Sequence, residues 1–306
     1  MFEHFSSRLV HVTRGNIHTL IGGEGTPLLL LHGYPQTHLM WHSVVDHLTG
    51  DHTVVVVDLP GYGESFRPAT VPDHSTYSKR AIGDDLVELM RILGFPNFAV
   101  AGHDRGGRIA YRMALDHPDA ITAAGAFDVV PTGEVWSRAD ALMAITYWHW
   151  AFLAQPAPLP EDLINANPSA FFDHHVRSLG LGRTARRYPA ELMAQYRALL
   201  DDPSVVHGIC EDYRAGAGID REQDDQDRAS GRQIICPFLV LWSAQGALPR
   251  FYGDVPAIWR PWTTTLHARG LDAGHFLVED QPEQVAEELL HLMRSAPPTA
   301  SPHPDH

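Results

Sequence analysis

Gly102-His103-Asp104-Arg105-Gly106-Gly107 is the stretch whose reading decides this chain. The residues before it, 97–102, form a short apolar run that predicts a strand. The residues after it, 105–117, carry helical spacing. Strand, glycine-flanked turn and helix together make the G-x-Nuc-x-G pattern of a nucleophile elbow. The small residues let the turn close, and the central side chain is held exposed in a strained conformation. That central residue is Asp104, and its identity sets the chemistry. A serine must lose its proton to a base before it attacks. A carboxylate is already ionised and can displace a leaving group from saturated carbon. The product is an ester, and a base is needed only when water cleaves it.

Working outward, apolar runs alternate with helical patterns. Residues 9–12, 17–22 and 27–32 predict early strands, and 39–48 a helix. Residues 52–59 are apolar and β-branched, as suits a strand buried on both faces. Residues 77–93 predict a helix with Ile82, Leu86, Leu89, Met90 and Leu93 on one stripe. Further strands are predicted at 120–128, 236–243 and 263–267, and a closing helix at 284–293. Alternation of this kind predicts an α/β fold, a mostly parallel sheet with helices on both faces.

The stretch 131–232 breaks the rhythm. It is aromatic early, then helical and charged, and predicts a helical cap over the sheet's carboxyl edge. Its last part, 220–232, is polar and reads as a solvated return segment. Residues 296–306 hold four prolines and little to bury, which predicts a disordered tail.

The 306 residues are long enough for one large core with such an insertion. Acidic residues number 37 against 23 basic, a net charge of −14, which excludes the basic footprint of a nucleic-acid binder. An anionic substrate stays open, because local arginines can oppose the global field. Two cysteines, Cys210 and Cys236, make no disulfide framework and point to a reducing, cytoplasmic setting. No signal-peptide pattern opens the chain, and the apolar runs are too short to span a bilayer. With no H-E-x-x-H motif or Cys/His cluster among the 20 histidines, no metal is expected.

A base for ester hydrolysis is expected in the loop after the last strand, where His275 stands in Asp272-Ala273-Gly274-His275-Phe276. A carboxylate should orient its imidazole. Asp128 ends the sixth predicted strand and is the choice; Asp254, well past the seventh, is the fallback. His32-Gly33-Tyr34-Pro35 follows the third strand, so the backbone N–H groups of Tyr34 and Arg105 are the expected oxyanion hole.

The set resembles the α/β-hydrolase superfamily, in its Asp-nucleophile branch of haloalkane dehalogenases and epoxide hydrolases, and most closely the fluoroacetate (haloacetate) dehalogenases. The similarity covers nearly the whole chain. It rests on His32-Gly33-Tyr34-Pro35-Gln36, Asp58-Leu59-Pro60-Gly61-Tyr62-Gly63, the elbow, Arg112-Met113-Ala114-Leu115-Asp116-His117-Pro118 and Gly274-His275-Phe276. The more specific matches lie in the cap: Tyr147-Trp148-His149-Trp150, Gln155-Pro156-Ala157-Pro158 and Glu211-Asp212-Tyr213-Arg214-Ala215-Gly216. The resemblance implies an eight-stranded sheet and a cap inserted after the sixth strand. The expected division is core at 1–130, cap at 131–232, core again at 233–295 and tail at 296–306.

A substrate carboxylate beside Asp104 would be repelled, so a cationic clamp is required. Arg105 and Arg108 start the elbow helix, whose N-terminus itself attracts anions. The resemblance assigns both to the substrate carboxylate. It assigns the leaving halide to His149, Trp150 and Tyr213, which offer imidazole, indole and phenol donors. Two departures stand out: Leu179 aligns opposite a tryptophan of some relatives, and Ser243 replaces a commoner glycine.

The expected reaction is hydrolytic dehalogenation of a small haloacid such as fluoroacetate or chloroacetate to glycolate, halide and a proton. No cofactor, nucleic acid or membrane is involved, and the resemblance implies a homodimer. An epoxide hydrolase is the first rival; it would use paired tyrosines, Tyr213 and Tyr147. A non-catalytic ligand receptor on the same scaffold is the second.

Overall fold

A computed structural model describes residues 1–179 and 188–296. Eight strands run in chain order: β1 Ser6–Val12, β2 Gly15–Gly22, β3 Thr26–Leu31, β4 His52–Val57, β5 Phe98–His103, β6 Ile121–Phe127, β7 Phe238–Ser243 and β8 Leu266–Leu271. They form one sheet in the order β1-β2-β4-β3-β5-β6-β7-β8. β2 runs antiparallel to β1 and β4, and every other pairing is parallel. Residues 28–31, 54–57 and 98–101 are wholly buried. They show no alternation because helices cover both faces.

Two helices follow the early strands, α1 Lys79–Ile92 and α2 Arg105–Asp116. Ser78 caps α1, accepting from the Ala81 N–H, and Ile82, Leu86, Leu89 and Met90 bury its apolar stripe. Between β6 and β7 lie α3 Thr132–Ser137, α4 Ala141–Thr146, α5 Trp148–Leu153, α6 Leu159–Ala166, α7 Pro168–Ser178, α8 Ala190–Ala198, α9 Pro203–Ala217 and α10 Ile219–Ser230, with no strand among the described residues. The core closes with α11 Ala247–Tyr252, α12 Val255–Trp259, α13 Leu277–Asp280 and α14 Pro282–Ser295. Among the described residues no helix is long and apolar enough to cross a membrane.

Three expectations need correction. Residues 39–48 wind as two short 3₁₀ turns, His38–Trp41 and Val45–His47, held by i→i+3 bonds, not as one α-helix. β8 begins later than the threonine-rich run suggested. Its register is set by pairing with β7, from Phe238 opposite Leu266 to Ser243 opposite Leu271. The segment 220–232 is not a solvated return: α10 turns Asp220, Gln223, Asp224 and Asp227 inward. Asp224 pairs with buried Arg112 at 2.6 Å and accepts from the Tyr111 hydroxyl at 2.8 Å. Asp227 also meets Arg112, and Asp220 holds Lys79 at 3.0 Å. Buried charge of this kind stands only when paired. The expected tail from 297 onward lies outside the described residues.

β3 is flanked by β4 on one side and β5 on the other, so the chain switches direction of winding at β3. Ligands in open α/β sheets bind beyond the strand carboxyl ends at such a switch. The segments leaving β3, β5, β6 and β8 there carry Tyr34, Asp104, Asp128 and His275.

Candidate active site

Asp104 connects β5 to α2 at φ 48° and ψ −115°. A side chain in that region costs about 1–3 kcal/mol, which the surroundings must hold in place. They do so by close approach. A Cβ on Gly102 would lie 2.3 Å from the Gly106 carbonyl carbon, and one on Gly106 would lie 2.5 Å from the His32 carbonyl oxygen. The glycines therefore let the elbow pack against β3. The Asp104 backbone N–H donates to Phe127 O at 3.0 Å, tying the turn to β6.

Asp104 Oδ2 accepts the Tyr34 N–H at 3.0 Å. Oδ1 takes no protein hydrogen bond among the described residues. Burial alone would raise the carboxyl's pKa. The His275, Arg105, His103 and Arg108 charges outweigh that and leave it below the usual range. Asp104 is thus buried and ionised, with one oxygen held and the other open.

His275 Nδ1 lies 2.6 Å from Asp128 Oδ2. A carboxylate accepts, so Nδ1 carries the hydrogen and Nε2 is the basic nitrogen. Asp128 stands at the end of β6, with φ 51°, where its other oxygen accepts the Ser243 N–H at 2.9 Å. Burial works against charging His275, but the hydrogen bond and charge of Asp128, with Asp104 beyond, raise its pKa above the ordinary imidazole value. The loop itself is pinned. His103 Nε2 bonds the His275 carbonyl at 2.7 Å, and the Ser243 hydroxyl donates to Ala273 O at 2.6 Å. Asp254, the fallback acid, instead caps α12 by accepting from the Ala257 N–H at 3.1 Å, and its side chain is 59% exposed.

One small chamber of about 10 Å³ is lined by Tyr34, Asp104, Arg108, Asp128, Tyr147, His149, Trp150, Leu179, Tyr213 and His275. All the sequence-derived candidates except Arg105 meet there. The Tyr213 hydroxyl and Trp150 indole N–H make no protein hydrogen bond among the described residues. Burial pushes Tyr213 well above the ordinary phenol value, so it stays a donor. Burial, then the neighbouring His175, His275 and arginines, hold His149 well below the ordinary imidazole value. Neutral donors therefore face a carboxylate across the chamber. A larger antechamber of about 510 Å³ shares Asp128, Tyr147, Leu179 and His275 with the chamber and continues past Ser243 and Arg250.

The two arginines expected to hold the substrate carboxylate are not equivalent in the structure. Arg108 lines the chamber; its NH1 is held by Val130 O at 2.9 Å and Thr132 Oγ1 at 3.2 Å, and it has no acidic partner among the described residues. Its guanidinium stacks over Trp150 at 4.5 Å. Arg105 is committed to Asp212. Nε reaches Oδ2 at 2.7 Å, and NH2 reaches Oδ1 at 3.1 Å and the backbone oxygen at 2.9 Å. Among the described residues only NH1 is left without a partner. Asp212 also holds Lys79 and accepts from the Tyr62 hydroxyl at 2.9 Å. Its carboxyl is driven far down by Arg105 and Lys79 against the burial penalty. Likewise, the Arg105 backbone N–H makes no bond to the Asp104 carboxylate, so Tyr34 alone fills that role in this state.

Sequence reasoning missed Asp212, Lys79 and the Ser243 tie. The acidic stripe 220, 224, 227, spaced as one helix face, was the signal for the buried latch. His18, His38 and Asp58 form the only group among the described residues with metal-ligand spacing, their ligand atoms lying within 4.8 Å. Asp58 is already saturated there by both imidazoles and by the N–H groups of His38 and Glu64.

The class follows from the strand order, the elbow and the Asp–His–Asp arrangement, and the comparisons agree. The α/β-hydrolase fold family matches residues 26–248, and the chain belongs to it. It is 43% identical over 297 residues to a fluoroacetate dehalogenase of a Burkholderia species, spanning 97% of this chain and 96% of that one. A soluble epoxide hydrolase of Corynebacterium sp. (strain C12) is 26% identical over 279 residues, spanning 90% and 92%. The crystal structure of ALR0039, an α/β-hydrolase-fold protein of Nostoc sp PCC 7120, superposes with a TM-score of 0.91 at 42% identity, covering 96% of this chain and 99% of that one.

Proposed function

We propose that this chain is a haloacetate dehalogenase working through an aspartyl ester, with residues 131–232 as its cap. The observation that carries the reading is the chamber itself: an ionised Asp104 with a free Oδ1 faces Arg108 and three donors unused by the protein. The 43% identity to a fluoroacetate dehalogenase supports the same reaction class.

Arg108 takes the substrate carboxylate, offsetting its repulsion by Asp104, and the unpartnered NH1 of Arg105 adds to that field. Oδ1 of Asp104 attacks the α-carbon in line with the carbon–halogen bond. The bonding pair leaves with the halide toward His149, Trp150 and Tyr213. Donors already oriented at the developing charge cost no reorganisation and lower the barrier. Asp104 Oδ2 becomes the ester carbonyl oxygen, still held by the Tyr34 N–H. His275 Nε2 then takes a proton from water, the hydroxide adds to the ester carbon, and Tyr34 N–H stabilises the oxyanion. Collapse breaks the bond between the former ester carbon and the glycolate oxygen, which takes the proton back from His275. The Asp104 carboxylic acid then loses its proton to solvent, leaving a carboxylate with one oxygen from water.

Halide release from fluoroacetate and chloroacetate tests this, followed with ion-selective electrodes. Release of halide and glycolate in equal amounts is expected, and no release from either substrate overturns the reading. One observation favours a second reading. Tyr147 lines the chamber beside Tyr213, and both phenols are pushed well up by burial. Two such donors could protonate an epoxide oxygen, and turnover of styrene oxide without halide would select it. The reading carries a homodimer, to be checked by light scattering in solution.

A further inference from the structure

His175, on α7, is fully buried, yet neither of its ring nitrogens has a hydrogen-bond partner among the described residues. Buried polar groups are nearly always paired, and an orphan is costly to keep. Its surroundings are specific. Its ring lies edge to face against His149, with centroids 4.6 Å apart and planes at 71°. Phe171 stacks on it at 5.8 Å, Trp148 meets it edge-on at 5.9 Å, and Tyr34 is tilted against it at 5.0 Å. The ring is thus clamped among four aromatic rings, one of them that of His149. His149 Nδ1 and the Tyr34 hydroxyl are likewise buried without partners among the described residues. Orphaned polar atoms therefore gather on the leaving-group wall of the chamber.

We propose that His175 is a positioning residue of the leaving-group site, its ring holding the plane of His149 so that one N–H is presented to the departing halide. This rests on the dehalogenase reading of that site. Two imidazoles in contact in a dry pocket cannot both be charged, because each proton would repel the other without solvent to screen it. Burial holds His175 down to about 3, with the charge of His275 adding to the effect. A ring that carries no charge and cannot turn is a fixed dipole for its neighbour. Fluoride has the most concentrated charge of the halides and gains most from a donor aimed in advance. Bromide is a good leaving group and needs it least. The device should therefore appear as selectivity between halides.

The test compares wild type with His175→Phe, which keeps the aromatic packing, and His175→Gln, which restores a polar side chain. Fluoroacetate and bromoacetate turnover are measured for each. For the Phe variant kcat on fluoroacetate should fall about tenfold, on bromoacetate less than twofold, with KM nearly unchanged for both. Gln should recover part of the fluoride rate. Equal losses on both substrates, or none, overturn the proposal, since lost packing alone has no reason to discriminate between halides. Independently of turnover and of variant folding, ¹⁵N-histidine NMR of the wild-type protein reads the ring tautomers. Both rings should be neutral at pH 7, His149 should be a single tautomer, and added chloride should move both sets of ring resonances. A tautomer mixture at His149, or a chloride response confined to His149, overturns it. If wild-type enzyme releases no halide from either substrate, the dehalogenase reading fails separately, and the NMR outcome still judges the coupling of the two rings.

Discussion

In the proposed reaction Asp104 and His275 divide the work between them, and their environments tune them in opposite directions. Asp104 is held below the ordinary carboxylate range by the cations around it, so it is ionised throughout the range in which His275 titrates. His275 is raised above the ordinary imidazole value of 6.5 and serves as base only when neutral. The rate should therefore fall as pH drops through the raised His275 value, giving one acid limb above pH 6.5 and none near pH 4. A pH profile of kcat on chloroacetate, which contains the hydrolytic step, checks this; a limb near 4 would assign it to a carboxylate. Removing the base should separate the two half-reactions. His275→Gln should release about one equivalent of halide per enzyme and then stop, with steady-state turnover down roughly 10³-fold or more. Intact-protein mass spectrometry should show the mass of the ester retained. These two residues were legible in the sequence because each lies inside a local pattern, a glycine-flanked turn and a Gly-His-Phe loop. Arg105 was legible as a cation at the helix start, but its partner is 107 residues away on α9. Nothing local distinguishes an arginine that waits for substrate from one already paired.

At the scale of elements, the site depends on ties between strand ends. Ser243 ends β7, gives its N–H to Asp128 and its hydroxyl to Ala273 O, two residues before His275. A departure that the sequence left without meaning is thus a clamp between the acid and the base loop. Ser243→Ala keeps the first bond and loses the second, at about 1 kcal/mol of stability. It should lower kcat several-fold through the hydrolytic step while leaving the first-turnover halide burst intact, as rapid-quench kinetics would show. An equal loss in the burst would contradict this placing. The strands and helices were largely legible through their periodicity. The 3₁₀ winding at 38–48 was not, because helical spacing of apolar residues fits both windings over so short a run.

Across the whole molecule, buried charges hold the helical layer to the sheet. Lys79, Arg105 and Arg112 on the core helices meet Asp212, Asp220, Asp224 and Asp227 on α9 and α10. Such pairs give little net stability when whole, yet breaking one strands a charge and costs about 3–5 kcal/mol. Asp212→Asn should destabilise by that order in urea unfolding at pH 7. The Asp212 carboxyl is depressed in the folded state, so its contribution is present above the unfolded value near 4 and lost as pH falls below it. The stability gap between wild type and variant should therefore narrow below about pH 4. A gap that persists unchanged there would contradict the ionic account. This latch was the largest feature misread from sequence. A polar composition points to solvent, whereas these acids recur on one helical face and find buried cations far away in the chain.

The proposed reaction turns on a covalent bond between Asp104 and substrate carbon. A single turnover of chloroacetate in ¹⁸O-water, with enzyme in excess, tests it most directly. The label should appear in the Asp104 peptide, adding about 2 Da, while the glycolate from that first turnover carries none. Labelled glycolate with an unlabelled Asp104 peptide would mean that water attacks the substrate carbon itself, and the account would be wrong.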